Sequence, residues 1–336
     1  MTDWLAMRDA LVNGAWPQGF PGKKMPETVT LNADITYNGV LDPNAQVNGD
    51  LLRVRLPRTT SASAQVEVVH PLGSWNGRCF VMHGGHYITY FEGGSVFTPC
   101  NMQSLTKALT AAGWMILGCA QPFMGANDRV YHYEGGVDMA AYEPVDVYPW
   151  VGHYQLHQYE AIFGESSLPQ FLEPAIVGMN YVQATYGVRD FAFSGISGGG
   201  WTTEMMAAVD PRITRSYPAL GSIPFQLWSI WNGGIIADFE SNSYCRWFQD
   251  TGASMENIYT LGCFDPGRRQ IKIVEHGDTA WTAAGHDSDI AAWKALVQSR
   301  VPTGQYDVYV GSIVSAHTYS MGAIRMILDD LERPLT

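Results

Sequence analysis

Charge is scarce in this chain: Asp, Glu, Lys and Arg make up only 15% of 336 residues, and acids outnumber bases 32 to 20. A formal charge of −12 argues against a nucleic-acid polyanion as the main partner. Apolar residues reach 46%, enough for a folded core, so the low charge does not signal disorder. Cysteine is sparse as well. Cys79, Cys100, Cys119, Cys245 and Cys263 are odd in number and scattered, with no C-x-x-C or zinc-ligand spacing. Reduced thiols are the expectation, with a Cys245–Cys263 bridge left open. No apolar run is long enough to span a bilayer; Trp114-Met115-Ile116-Leu117 is strand-sized, and no membrane partner is expected. The start, Met1-Thr2-Asp3-Trp4, shows no basic segment followed by an apolar stretch, which points to a cytoplasmic protein. A secreted or particle-associated protein stripped of its signal would begin in the same way. Internal repeats and low-complexity tracts are also lacking.

What is present is a rhythm. After an amphipathic helix near Trp4 and a Pro/Gly/Asn-rich approach, Leu52, Val54 and Leu56 alternate with Arg53 and Arg55, as on a half-buried strand. Val66 and Val68 repeat the pattern, and the run Arg78-Cys79-Phe80-Val81-Met82 is apolar enough for an inner strand. Helices are predicted over 102–112, 168–186, 201–209, 289–299 and 320–331, and strands over 114–119, 191–195, 213–220, 271–274 and 306–310. Strand and helix alternating in this way predict an α/β fold with a mostly parallel sheet and helices on both faces. Residues 121–166 and 221–267 break the rhythm and are rich in aromatics, so they read as insertions forming a cap on one domain over 51–336, with 1–50 as an N-terminal extension.

The chemistry concentrates in Phe191-Ala192-Phe193-Ser194-Gly195-Ile196-Ser197-Gly198-Gly199-Gly200, a short strand running into G-x-S-x-G and then a helix. A serine on such a strained turn has small neighbours because bulky ones would clash, and its Oγ stands above the sheet edge. Ser197 is the candidate nucleophile, and the Gly198 amide the candidate oxyanion donor. His83-Gly84-Gly85-His86 follows the 78–82 strand directly, where backbone amides near Gly85 and His86 are candidates for the second donor. A serine hydroxyl needs a base, and the base a carboxylate to fix its tautomer. Asp278 and His317 come after Ser197 in that order, each on a loop past a predicted strand. Glu275, Asp287 and Asp289 are neighbouring carboxylates that compete with Asp278 for the imidazole.

Together these residues resemble the α/β-hydrolase superfamily, and within it the serine esterases, over roughly residue 51 to the end. The continuation Gly198-Gly199-Gly200-Trp201-Thr202-Thr203 and the Gly267-Arg268-Arg269 segment are similar to those of bacterial carbohydrate-directed acyl esterases. The acid follows His276-Gly277 immediately, a departure from the commonest pattern that leaves its identity open. The resemblance implies a Ser197–His317–Asp278 triad, an acyl-enzyme and no cofactor or metal.

Three rival readings are weaker. Gly195, Gly200 and Thr202 have phosphate-loop spacing, but Trp201 stands where the lysine is needed. His153 and His157 near Glu160 lack the H-E-x-x-H context of a metal site. A hydrolase fold turned binding module would be expected to lose a triad member, and each has a candidate. Tyr148, Trp150, Trp228 and Trp231 are candidates for stacking on a sugar ring or lining an acyl pocket. They favour an O-acyl group, acetyl or a small aryl acid, on a sugar or polymer. A peptidase like prolyl oligopeptidase, a thioesterase or a lactone hydrolase would use the same triad.

Overall fold

The computed structural model describes residues 3–35, 48–85, 101–140, 156–224, 227, 254–279, 282–312 and 315–335. These fall into two compact units, Asn13–Asp190 and Met1–Val12 with Phe191–Thr336. The chain opens with helix α1 (Trp4–Ala15).

In the Asn13–Asp190 unit, strands β1 (Thr28–Asp34), β2 (Asn48–Val54), β3 (Ala64–Val69), β4 (Arg78–His83) and β5 (Met115–Cys119) lie in the order β1-β2-β3-β5-β4. The first three meander antiparallel, β3 pairs antiparallel with β5, and β5 runs parallel to β4. Helix α2 (Met102–Ala111) joins β4 to β5; the predicted helix and strand here hold to within a residue. Strand β1 was not foreseen. Thr-Val-Thr-Leu does alternate, but Val29 and Leu31 face solvent, so no buried stripe marks it.

A hairpin of β6 (Val130–Tyr133) and β7 (Val137–Ala140) and helix α3 (Leu156–Phe163) organise the described part of the first insertion. Tyr131, Tyr133 and Tyr159 are buried there, packed with Phe123 and Phe163 at ring-centroid distances of 4.1–6.3 Å. These rings form a small core of their own. Helix α4 (Leu168–Tyr186) starts with Pro in its first turn and stops at Gly187, whose φ of 76° suits a left-handed cap. A side chain at Gly178 of α4 would press on Leu117 at 2.8 Å, so the glycine lets helix and sheet close together.

In the other unit, β8 (Asp190–Ile196), α5 (Gly198–Val209), β9 (Ile213–Ala219), α6 (Met255–Leu261), β10 (Arg269–Glu275), α7 (Asp287–Gln298), β11 (Tyr306–Gly311) and α8 (Met321–Leu331) follow one another. The strands lie in the order β8-β9-β10-β11, all pairs parallel. Helix α8 buries Ala323, Ile324, Ile327 and Leu331, the i, i+1, i+4, i+8 stripe of a helix laid on a core. Arg8 of α1 donates to the Ala208 carbonyl of α5 and the Leu261 carbonyl of α6 at 3.0 Å each, and pairs with Asp265 at 2.6 Å. Cys79, Cys119 and Cys263 are buried free thiols; Cys245 lies outside the described residues. Burial pushes the Cys263 thiol up to about 12. Element order and pairing are those of an α/β-hydrolase fold, a mixed, mostly parallel sheet with helices on both faces.

Candidate active site

Three parallel strands deliver the candidate residues to one edge of their unit. Ile196 of β8 and Ile273 of β10 are both register partners of Ala219 in β9, and Glu275 of β10 is partner to Gly311 of β11. Ser197, Asp278 and His317 each follow one of those strand ends. Ser197 has φ 58° and ψ −129°, a backbone state that costs a non-glycine residue about 1–3 kcal/mol. Its amide donates to the Ala219 carbonyl at 3.0 Å, and its carbonyl accepts from Gly200 at 2.8 Å and Trp201 at 3.1 Å.

Two glycines make the turn possible. A Cβ on Gly200 would lie 2.2 Å from the Ala219 oxygen, and one on Gly221 would lie 2.1 Å from the Ser197 oxygen. The elbow is therefore packed backbone to backbone. Helix α5 begins at Gly198, three residues before the predicted start, because this packing outweighs the poor helix propensity of three glycines. Gly198 and Gly199, at the first helical positions, have amides with no intrahelical acceptor, at the positive end of the helix dipole.

The acid and the imidazole meet. His317 Nδ1 lies 2.8 Å from Asp278 Oδ2, with the carboxylate side chain fully buried and the imidazole 16% exposed. An ionised carboxylate only accepts, so this contact puts the proton on Nδ1 and leaves Nε2 as the basic nitrogen. The Asp278 loop is closed by two bonds to the Glu275 carbonyl, from the Asp278 amide at 3.3 Å and the Ala283 amide at 3.0 Å. The competing carboxylates are engaged elsewhere: Asp287 with His276 at 2.8 Å, Asp289 with His286 at 3.1 Å. Glu275 is fully buried. Burial pushes its carboxyl up, against the opposing pull of the Ser320 hydroxyl and amide. Among the described residues, Ser197 Oγ makes no hydrogen bond to the imidazole.

Sequence reasoning missed two supports. Tyr319, two residues past His317, is fully buried and its hydroxyl lies 2.7 Å from Ser194 Oγ on the strand that leads into Ser197; Ser194 in turn donates to the Tyr217 carbonyl at 2.6 Å. The other is a buried pair beneath the elbow, Lys272 of β10 with Glu204 of α5, to which Ser222 and Tyr259 are hydrogen-bonded in series. Burial lowers the lysine's pKa and raises the glutamate's, each opposed by the partner's charge. A lysine inside the apolar run Ile271-Lys272-Ile273-Val274 was the available signal.

The remaining candidates divide by position. Gly85 lies in the Asn13–Asp190 unit just past β4, where the Gly84 amide donates to the Cys119 carbonyl at 2.9 Å and His83 Nδ1 is 2.9 Å from the Gly84 oxygen. His86, Tyr148, Trp150, Trp228 and Trp231 fall outside the described residues, as does His153. Glu160 accepts from the Ser167 amide and hydroxyl at 3.0 and 3.2 Å, tying down the loop that enters α4.

No family model matches this chain, and no curated protein matches it. Solved structures do. An acetyl xylan esterase from Paenibacillus sp. R4 is 15% identical with a TM-score of 0.54, covering 100% of this chain and 95% of its own. The methylesterase BT1017 is 13% identical with a TM-score of 0.59, over 97% of this chain and 62% of its own. A PEG-bound cold-adapted esterase from an Arctic intertidal metagenomic library is 12% identical with a TM-score of 0.52, over 90% of this chain and all of its own. At such identities the likeness speaks for architecture alone, and it agrees with the strand order and elbow described above: the chain has the α/β-hydrolase fold.

Proposed function

We propose that the protein hydrolyses carboxylic esters through an acyl-enzyme on Ser197. The observation that carries this reading is the 2.8 Å Asp278–His317 contact, on loops at the same strand-end edge as a serine held at φ 58°. In the proposed reaction Ser197 Oγ attacks the ester carbon while its proton passes to His317 Nε2. The Oγ–C bond forms, the carbonyl π pair moves onto oxygen, and the Gly198 amide receives that charge. Collapse expels the alcohol, which takes the proton from Nε2. Water then attacks the acyl carbon with His317 again as base, releasing the acid and restoring Ser197. Asp278 holds the Nδ1 proton and offsets the imidazolium. The Ser197–His317 hydrogen bond forms in the substrate complex, since such bonds often tighten only there.

The substrate we propose is an O-acyl ester, acetyl or small aryl, of a sugar or polymer. Support comes from the aromatic insertions and, by analogy of fold, from a structural neighbour named for acetyl xylan. The test is hydrolysis of p-nitrophenyl acetate and acetylated sugars, beside thioesters and peptide anilides, with fluorophosphonate labelling. Ser197→Ala is expected to abolish both turnover, by roughly 10⁶-fold, and labelling. Equal activity in wild type and variant would end the proposal.

A further inference from the structure

A second group of charges occupies the other edge of the β8-β9-β10-β11 sheet, at the strand starts. Arg215 of β9 and Arg269 of β10 are direct register partners, so two guanidiniums stand side by side on neighbouring strands. Like charges placed opposite each other in a sheet repel. One carboxylate serves both: Asp330 of α8 is 3.0 Å from Arg269 Nε and 3.9 Å from Arg215 Nε, and it also accepts from the Tyr217 hydroxyl at 2.9 Å. Arg215 is only 4% exposed, and among the described residues its Nε has no hydrogen-bond acceptor. Its Nη2 is held by the Arg333 carbonyl, which brings a third arginine to the rim. Arg268 forms the fourth wall, but its donors are committed to the Ile213, Leu261 and Ala207 carbonyls and to Asp265.

These side chains and Gln305 line a small cleft, part of it open to solvent. Among the described residues, with Arg268 paired to Asp265, three further arginines line the cleft beside one carboxylate, Asp330, in a protein whose formal charge is −12. Burying the Arg215 guanidinium with incomplete pairing is costly unless an anion completes it. Guanidinium forks match the oxygens of phosphate and carboxylate, and an excess of two positive charges favours a dianion over a monoanion.

We propose that this cleft is a binding site for a small tetrahedral dianion, inorganic phosphate or the terminal phosphate of a monoester, held by Arg215, Arg269 and Arg333. The site is remote in the strand direction from Ser197, and its test is independent of esterase activity. Titrating inorganic phosphate against the full chain, by calorimetry and by thermal unfolding at ionic strength held constant with chloride, is expected to give saturable one-to-one binding and a rising midpoint. Arg333→Ala, at the exposed rim, and Arg269→Gln are each expected to weaken binding about tenfold or more. Arg215→Gln is expected to abolish it; should that variant not fold, the other two decide. Acetate in place of phosphate is expected to bind more weakly. Absence of saturation, equal stabilisation by chloride, acetate binding as tight as phosphate, or wild-type affinity in Arg333→Ala and Arg269→Gln would each overturn the proposal.

Discussion

Replacing Lys272 by Met would leave Glu204 fully buried with only the Ser222 hydroxyl to receive. Both members of this pair are inaccessible to solvent, so breaking it from either side costs about 3–5 kcal/mol. For a cooperative unit of this size each kcal/mol moves the unfolding midpoint roughly 2–4 °C, giving an expected drop of roughly 6–20 °C. The sign of the pH dependence follows from burial. In the variant the Glu204 carboxyl titrates above its unfolded value of about 4.3, so the folded state keeps a proton that the unfolded state has released. Stability therefore falls as pH rises from about 4.3 towards the folded value, by up to about 1.4 kcal/mol for each unit. Glu204→Met is expected to be costly too, stranding a buried ammonium. The double variant Lys272→Met/Glu204→Met removes both charges and is expected to be more stable than either single variant. Thermal and urea unfolding of the four proteins between pH 4 and 8 provides the measurement. A double variant whose loss equals the sum of the singles would refute the coupling, and with it the view that this pair seats α5, and hence the elbow, on β10.

Three further outcomes are expected. Asp278→Asn should lower kcat by about 10⁴-fold without moving the unfolding midpoint, whereas Asp287→Asn and Asp289→Asn should leave ester turnover as in wild type; loss of activity in either of the latter would reassign the acid. Tyr319→Phe and Ser194→Ala should each lower kcat more than they change KM, and the double variant should be no worse than the worse single, because both remove one bond joining the imidazole loop to β8. Tyr217→Phe, which deletes an equally buried hydroxyl bond from β9 to Asp330 of α8, is the control expected to spare kcat; a matching loss there would mean the Tyr319 effect is merely structural. Gly200→Ala puts a methyl 2.2 Å from the Ala219 oxygen and should destabilise by about 1–3 kcal/mol or more, with fluorophosphonate labelling lost before the fold is; a fully active variant would contradict the close packing of the elbow.

Much of the α/β order was legible because inner strands and amphipathic helices write strong periodic signals. The 168–186 helix falls where the sequence placed it, opened by Pro169 and ended by Gly187. The start of α5 was not legible, since Gly198-Gly199-Gly200 reads as loop by propensity. Only the contact with Ala219 explains why glycine is required inside a helix. Strand β1 escaped for the opposite reason, its larger side chains pointing outward on an edge. At the candidate site, Asp278 and His317 could be nominated from order along the chain, but choosing Asp278 over Asp287 took the distances. Those distances show that Asp287 and Asp289 already hold His276 and His286.

The supports of the site were the least legible part, and the reason is general. Tyr319 and Ser194 are 125 positions apart, and Lys272 and Glu204 are 68 apart, so neither pair leaves a local pattern. Each residue taken singly reads as an ordinary member of its element. A lysine amid Ile271, Ile273 and Val274 is the exception, because a strand buried on both faces has no place for an ammonium without a partner. That requirement locates the partner's chemistry though not its position: a carboxylate, on an element packed against β10, close enough to need no water between them. In this chain the element is α5, the helix that follows Ser197 directly. The same buried charge that stabilises the sheet-to-helix contact thereby constrains the one backbone turn whose strain the proposed reaction needs.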